Sequence, residues 1–200
     1  MNSGMHIIVP SWWRRLLFWV LVFLLAGCMP GNSPPTQFYL LEPDASHELL
    51  IPQASKQVIV LTPVRIAHYL DRPQIVTALE RNRYQVSEFN RWAENLDDNI
   101  HRVLQQDLAR LLPADVSSQT NGEVLQVSVT ILAFHVDAQG QARLTAQWQF
   151  SKNKQLLKMG QGEYREWTLA ADYPARVAAM NVCLARMTRQ LVSDIQALSR

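Results

Sequence analysis

The chain has few of the residues on which many enzymes and disulfide-stabilised proteins depend. It contains two cysteines in 200 residues and only seven glycines. Its five histidines occur without HxxxH or HExxH spacing, and it has neither a glycine-rich phosphate loop nor a GxSxG serine motif. The sequence therefore predicts no metal site, no cofactor and no catalytic residues.

The chain also has no large excess of positive or negative side chains. The formal net charge is +2, and loss of residues 1–27 would remove Arg14 and Arg15 without removing any acidic residue. The rest of the chain then has as many acidic as basic side chains. Because nucleic-acid binding needs a basic face to offset phosphate charge, no nucleic-acid partner is expected.

The uncharged apolar run at residues 16–27 is too short to cross a membrane. At about 1.5 Å per helical residue it would span roughly 18 Å, whereas the hydrocarbon core is roughly 30 Å thick. Arginines before the run and small residues at its end, Ala26 and Gly27, are typical of a secretory signal peptide. We expect residues 1–27 to be removed.

The segment 24–28, reading LLAGC, resembles the bacterial lipobox. This resemblance implies cleavage before Cys28 and lipidation of its thiol. Each buried CH₂ contributes about 0.8 kcal/mol, so two or three acyl chains would hold the protein on a leaflet without spanning it. Met29 follows where Asp would favour the inner membrane, which points to the periplasmic face of the outer membrane. The alternative is a short N-terminal anchor with a chance cysteine.

Residues 38–200 are predicted to form a single α+β domain, after a lipidated cysteine and flexible tether at 28–37. We expect a largely antiparallel sheet with two long helices packed on one face. Apolar runs and period-two alternation predict strands at 38–41, 58–61, 64–66, 75–79, 84–89, 125–133, 142–150 and about 156–169. Pro63 predicts an edge or a bulge between two of them.

The first predicted helix, 96–112, has leucines at three- and four-residue steps and ends at Pro113. Asn95 is its expected N-cap. The adjacent Asp97 and Asp98 would lie in the first turn, where the helix dipole favours anions, and this explains them better than a catalytic pair does.

The second predicted helix, 174–198, is expected to be capped by Asp172. Its apolar stripe would pack on the sheet or, alternatively, form a groove for a partner helix. Cys183 falls in this pattern and is expected to be a small buried hydrophobe, since a catalytic thiol would need a paired base that the sequence does not reveal.

Two stretches, YLDRPQI at 69–75 and RWAE at 91–94 before the leucine-rich helix, resemble the ABC-type transport auxiliary lipoprotein family. The lipobox, FYLL after the tether, the strand ending near Pro63 and the terminal helix occur in the family's order. The resemblance implies an outer-membrane lipoprotein that docks, without catalysis, with an MCE-domain protein and an inner-membrane transporter component. It also implies lipidation of Cys28.

Residues Tyr69, Arg91 and Trp92 are the expected interface residues, because aromatic side chains and arginine are enriched at interfaces. For Trp92, packing in the core or against a helix cap is the alternative, whereas Trp148 is expected in the core. A homo-oligomer is a further expectation, since a ring could receive a tunnel-like partner. The alternative function is a periplasmic lipid-binding carrier with an apolar cavity between helix and sheet.

Overall fold

The computed structural model describes residues 12, 15, 33–44, 58–80, 82–112, 115–117 and 124–198. The predictions for Cys28, for nearly all of the signal peptide, for the start of the tether and for Pro113 lie outside these residues. Residues from Thr36 to Arg200 form one compact unit. This unit carries every element discussed below.

Nine described strands make up one sheet, and two long helices accompany it. The strands are β1 (Gln37–Tyr39), β2 (Val58–Leu61), β3 (Arg65–Ile66), β4 (Gln74–Ala78), β5 (Tyr84–Trp92), β6 (Asp115–Ser117), β7 (Val124–Asp137), β8 (Gln141–Lys152) and β9 (Gln155–Trp167). The helices are α1 (Leu96–Leu111) and α2 (Tyr173–Leu198), and a 3₁₀ turn spans His68–Leu70. The α+β prediction is confirmed.

Strand β7 is the strand around which the sheet is arranged. On one side it pairs antiparallel with β8, which in turn pairs antiparallel with β9. On the other side β2, β3 and β4 follow one another along β7, each parallel to it. Strands β5 and β1 extend the sheet beyond β4, and β6 lies beyond β2. The long ladders are antiparallel and the parallel ones are short.

The predicted central hairpin is confirmed, with β7 and β8 joined by a turn at Asp137–Gly140. The Asp137 carboxylate accepts hydrogen bonds from the backbone N–H groups of Gln139 and Gln141, at 3.0 and 2.8 Å. Gly140 adopts a φ of +90°, a conformation that residues with a side chain rarely take. The turn residues therefore fix the register of the β7–β8 ladder.

Both helices place their apolar stripes in the core. Helix α2 packs on β7, β8 and β9 and also contacts α1. Of the two alternatives for its apolar stripe, packing on the sheet is therefore the one observed. Cys183 is fully buried on this face, and burial raises the pKa of its thiol to about 12. The largest side chains of this layer are completely buried, namely Phe134, Phe150, Ile100, Leu104, Leu108, Ile131, Leu144, Met180, Leu184 and Met187.

The helix caps match the prediction at α2 but only in part at α1. The Asp172 carboxylate accepts a hydrogen bond from the backbone N–H of Ala175, at 2.9 Å. Asn95 occupies the N-cap position of α1, but its side chain accepts no capping bond and instead donates to Asp98 at 3.4 Å. Asn95 is therefore the N-cap residue, as predicted, but without the side-chain bond that is typical of this position.

The interruption predicted at Pro63 is confirmed. Strand β2 ends at Leu61, the Thr62 N–H still donates to Val127 O at 2.9 Å, and β3 resumes two residues beyond the proline. Since proline has no N–H to donate, the chain leaves β7 briefly at this point.

Candidate functional site

The two stretches that resemble a transport-lipoprotein family meet in the folded chain. Segment 69–75 runs from the 3₁₀ turn into β4, and segment 91–94 ends β5 and leads into α1. The backbone N–H of Trp92 donates to Pro73 O at 2.6 Å, and Gln74 lies opposite Arg91 in the β4–β5 ladder. Their proximity is a consequence of the antiparallel β4–β5 pairing.

Tyr69 belongs to a group of rings, here called the aromatic cluster, with Tyr84 and His135. The Tyr69 hydroxyl lies 3.3 Å from His135 Nδ1, and its ring centroid is 4.8 Å from that of Tyr84. Tyr84 meets the His135 ring edge-on at 5.5 Å. Tyr84 is exposed, so the cluster presents an aromatic surface.

The environment of the aromatic cluster favours the uncharged forms of Tyr69 and His135. Burial raises the pKa of Tyr69 to about 12, and the neighbouring Tyr84 adds to this rise. Burial, followed by the positive charge of Arg143, lowers the pKa of His135 below its ordinary value. A neutral aromatic surface suits contact with a protein partner better than proton transfer.

Trp92 and Arg91 differ in their exposure. Trp92 is 5% exposed and belongs to the hydrophobic core, so of the two roles considered for its ring the structure shows core packing and not a surface position. The Trp92 ring is buried because this residue is the last inward-facing position of β5, just before α1. Arg91 is half-buried, and its Nε is buried without a hydrogen-bond partner in the described part of the chain.

A second feature is the attachment of residues 37–44, here called the lead-in segment, which follow the tether. Strand β1 pairs parallel with β5, and the Ala93 N–H donates to Tyr39 O at 2.9 Å. Asn99 of α1 accepts from the Leu41 N–H at 2.7 Å and donates to the Leu41 carbonyl at 3.1 Å. Leu41 itself is fully buried.

The rest of the lead-in segment is tied to both helices. The Asp107 carboxylate of α1 accepts a hydrogen bond from the Asp44 N–H at 3.1 Å. Arg189 of α2 forms an ion pair with the Asp44 carboxylate at 2.8 Å, and Asn181 accepts from the Glu42 N–H at 3.2 Å. Polar side chains thus connect the start of the domain to its core.

Sequence reasoning did not identify Asn99 and Asp107 as important residues. Both are buried on the apolar face of α1, with 1% and 2% exposure. Two polar residues eight positions apart, within a leucine stripe, are the signal that could have revealed them, because a buried polar group requires a partner.

Asp194 is a third buried polar residue that the sequence did not single out. Its carboxylate accepts hydrogen bonds from Trp148 Nε1 and Lys158 Nζ, both at 2.8 Å, and from Gln190 at 3.2 Å. These donors join α2 to β8 and β9. Asp194 therefore has a structural role at the junction of helix and sheet.

Among the described residues, no three His, Cys, Asp or Glu side chains are grouped so that they could hold a metal ion. Nor does any helix in the described part of the chain have the length and apolar character needed to span a membrane.

The model of the ABC-type transport auxiliary lipoprotein component matches residues 39–192, which include both signature segments, the lead-in segment from Tyr39 and most of α2. The chain belongs to the ABC-type transport auxiliary lipoprotein family. The aromatic cluster and the lead-in segment from Tyr39 onward thus lie within the matched residues, and the resemblance noted in the sequence is confirmed.

Curated relatives in this family have related sequences. The intermembrane transport lipoprotein PqiC of Escherichia coli (strain K12) is 23% identical over 147 residues, which cover 72% of this chain and 78% of PqiC. PqiC of Shigella flexneri matches with the same values.

Solved structures support the fold. A crystal structure of an uncharacterized protein superimposes with a TM-score of 0.71 at 20% identity, covering 81% of this chain and 99% of that one. The crystal structure of a protein from Xanthomonas campestris gives a TM-score of 0.61 at 18% identity, covering 78% and 92%. At these identities the similarity concerns the fold alone.

Proposed function

We propose that this protein is an outer-membrane-anchored auxiliary lipoprotein of an MCE-type intermembrane lipid transport system. In this proposal Cys28 carries the lipid, the domain faces the periplasm, and it serves envelope integrity as a docking or adaptor subunit without catalysis. Family membership supports a transport role. The name of the E. coli relative, an intermembrane transport lipoprotein, supports transport between membranes.

The observation that carries the proposal is the firm attachment of the lead-in segment. The nine residues from Cys28 to the start of β1 could extend over at most about 30 Å. Beyond them the chain is held by the buried hydrogen bonds between Asn99 and Leu41 and by the ion pair of Asp44 with Arg189. A domain fixed in this way would stay within a set distance of the lipid headgroups, as a docking subunit requires.

We assign partner contact to the aromatic cluster and the half-buried Arg91. Tyr84 is 47% exposed and packs at a tilt against Tyr69, so its ring offers an apolar surface with a hydrogen-bonding hydroxyl. The partners proposed are the MCE-domain protein and the inner-membrane transporter component.

The packing does not favour the alternative of a lipid carrier. The large side chains between the helices and the sheet are completely buried and in contact with one another. Two surface cavities, of about 390 and 410 Å³, have polar or charged groups in their walls, including Glu42, Asp44 and Arg189 in the first and Arg65, Gln147 and Gln149 in the second. An acyl chain would need a predominantly apolar cavity.

The test is a pull-down from crosslinked cell envelopes, read by mass spectrometry. We expect the wild-type chain to recover an MCE-domain protein from the outer-membrane fraction, and Cys28→Ala to lose both the membrane association and the partner. Recovery of cell-wall enzymes, or of no envelope partner, would contradict the proposed function.

A matched pair of variants tests the assigned surface. Tyr84→Ala should reduce recovery of the MCE-domain protein at least ten-fold, because it removes the exposed ring of the aromatic cluster. Leu156→Ala, which removes an exposed apolar side chain from β9, outside the proposed contact surface, should leave recovery unchanged. Equal effects of the two substitutions would show that the aromatic cluster is not the contact surface.

A further inference from the structure

The connection between β9 and α2 exposes a short apolar segment, residues 167–171, here called the apolar tip. It reads WTLAA and contains no charged residue. Leu169 is 100% exposed and Trp167 is 58% exposed, and the two alanines also face solvent. Exposed apolar side chains grouped in this way mark an interaction surface.

The backbone of the apolar tip is held in place at both ends. The Thr168 N–H donates a hydrogen bond to Gly140 O at 2.8 Å. At the other end, Arg176 Nε of helix α2 donates to Ala171 O at 3.2 Å. Because both ends are bonded to the rest of the domain, the full exposure of Leu169 is a property of the fold.

The apolar tip lies near the place where the tether joins the domain. The rings of Tyr39, in β1, and Tyr173, the first residue of α2, have centroids 6.1 Å apart. Tyr173 follows the apolar tip by two residues, and Tyr39 follows the first residue of β1 by two. The nine residues from Cys28 to β1 reach at most about 30 Å. A lipid on Cys28 would therefore keep the bilayer within reach of the apolar tip.

The opposite end of β9 also exposes apolar side chains, but it differs in charge and position. Leu156 and Leu157 are 51% and 44% exposed there, close in sequence to Lys152 and Lys154. Trp167 is 11 residues beyond Leu156, about 37 Å further along the strand. The apolar tip, in contrast, combines an uncharged surface with proximity to the tether.

We propose that the apolar tip enters the interfacial region of the bilayer to which Cys28 is attached. The Trp167 ring then lies among the lipid headgroups, where its N–H finds acceptors, and Leu169 reaches the acyl chains. The anchor raises the effective concentration of the bilayer at the apolar tip, so a small contact area is sufficient. The inference rests on the lipid anchor of the proposed function, and it goes beyond that function by fixing which end of the domain meets the membrane.

Quenching of a fluorescent probe tests the position of the apolar tip. The lipidated chain is purified from membranes and reconstituted in vesicles of phosphatidylethanolamine and phosphatidylglycerol. Leu169→Cys carries a polarity-sensitive probe, and Leu156→Cys, at the far end of β9, is the matched control. Cys183 is fully buried and the Cys28 thiol is acylated, so the label goes to the introduced cysteine. Nitroxides on the acyl chains quench probes in the bilayer, whereas iodide quenches probes in water.

We expect nitroxide quenching of the Leu169 probe to be at least five-fold stronger than that of the Leu156 probe, and iodide quenching to be weaker. Equal quenching of the two probes, or stronger nitroxide quenching at Leu156, would overturn the proposal. A Leu169 probe that is shielded from iodide in native envelopes but not in protein-free vesicles would show that a protein covers the apolar tip, which would also overturn it.

Flotation of the chain with vesicles, compared with Cys28→Ala, tests the anchor separately. Loss of the anchor from the wild-type chain would overturn both this inference and the proposed anchoring. An anchored chain whose Leu169 probe lies in water would overturn this inference alone.

A charge substitution tests the contact with the probe at a different residue, Ala170→Cys. Adding Leu169→Asp should lower nitroxide quenching of this probe at least three-fold, because a carboxylate resists entry into the hydrocarbon. Leu157→Asp, at the exposed far end of β9, should leave the quenching unchanged. Since Leu169 is fully exposed, its replacement should not alter the fold, which circular dichroism can check. Unchanged quenching with Leu169→Asp would overturn the proposal.

Discussion

At the scale of single residues, Asp194 is a charged group kept within an apolar helix face by its partners. It is 6% exposed. Burial by itself would raise the pKa of this carboxyl, but the hydrogen bonds from Lys158, Trp148 and Gln190 outweigh burial and hold the pKa below its ordinary value of 3.8. The carboxylate is therefore ionised at neutral pH and joins α2 to two strands.

Replacing Asp194 with Leu is expected to lower the free energy of unfolding by about 2 kcal/mol, because the buried Trp148 N–H loses its acceptor. The Lys158 side chain is 38% exposed, so it can turn to water, and Lys158→Met should cost less than about 1 kcal/mol. Urea unfolding measures both values. Equal losses in the two variants would mean that the bond to Trp148 is not the important one.

Asp194 also predicts a dependence of stability on pH. Because its pKa is lower in the folded chain than in the unfolded chain, its contribution is fully present above the unfolded value and is lost as pH falls through the folded value. We expect Asp194→Asn to lose less stability than the wild type as the pH is lowered from about 5 to about 2. Melting temperatures across this range check it, and parallel curves would argue against it.

At the scale of elements, the β8–β9 ladder requires a glycine beneath a tryptophan. The Trp148 ring lies over Gly160, its partner across the ladder, and a Cβ at Gly160 would overlap the indole. Gly160→Ala should therefore displace the ring from Asp194 and cost about 2 kcal/mol of unfolding free energy. Near-ultraviolet circular dichroism and urea unfolding would detect this. Gln161→Ala, at an exposed neighbour, should change neither.

The lead-in segment depends on helix α1 through Asn99. Asn99→Leu leaves the buried N–H and C=O of Leu41 without partners, so we expect a loss of about 2 kcal/mol in unfolding free energy. The Leu41 amide should also exchange its hydrogen faster than in the wild type. Gln106→Leu, at an exposed position of the same helix, is the control. An unchanged exchange rate at Leu41 would contradict the assigned role of Asn99.

At the scale of the whole molecule, the core lies within the unit that begins at Thr36. A chain lacking residues 1–35 should therefore fold with a melting temperature close to that of the full chain. A chain lacking residues 1–44 should melt at least about 5 °C lower, since it loses β1 and the fully buried Leu41. Equal melting temperatures for the two shortened chains would mean that the lead-in segment adds no stability.

Much of the fold could be predicted because the signals involved are local. The alternation in β7 and β8, the Gly140 turn and the leucine stripe of α1 each depend on neighbours within a few residues, and all are present. The parallel pairing of β2, β3 and β4 with β7 could not be predicted. It joins strands that are dozens of residues apart, and no local pattern encodes the choice of a distant partner.

For the candidate site, too, some features could be predicted from the sequence and others only from the folded chain. The interface role of Tyr69 and Arg91 is a prediction from their segments, and only the folded chain places Tyr69 against Tyr84 and His135 and puts Trp92 in the core. Residue type does not determine exposure, because the same ring can pack inward or face solvent. The environment of a side chain depends on elements that pack against it from elsewhere in the chain.

The sequence by itself determined the α+β class, most element bounds and the family, and it supports the lipidation expected at Cys28, since these depend on composition and short motifs. Only the tertiary structure decided which buried polar groups find partners, as Asp194, Asn99 and Asp107 do. The physical reason is that hydrogen bonding and exposure depend on contacts between distant segments, which exist only once the chain has folded.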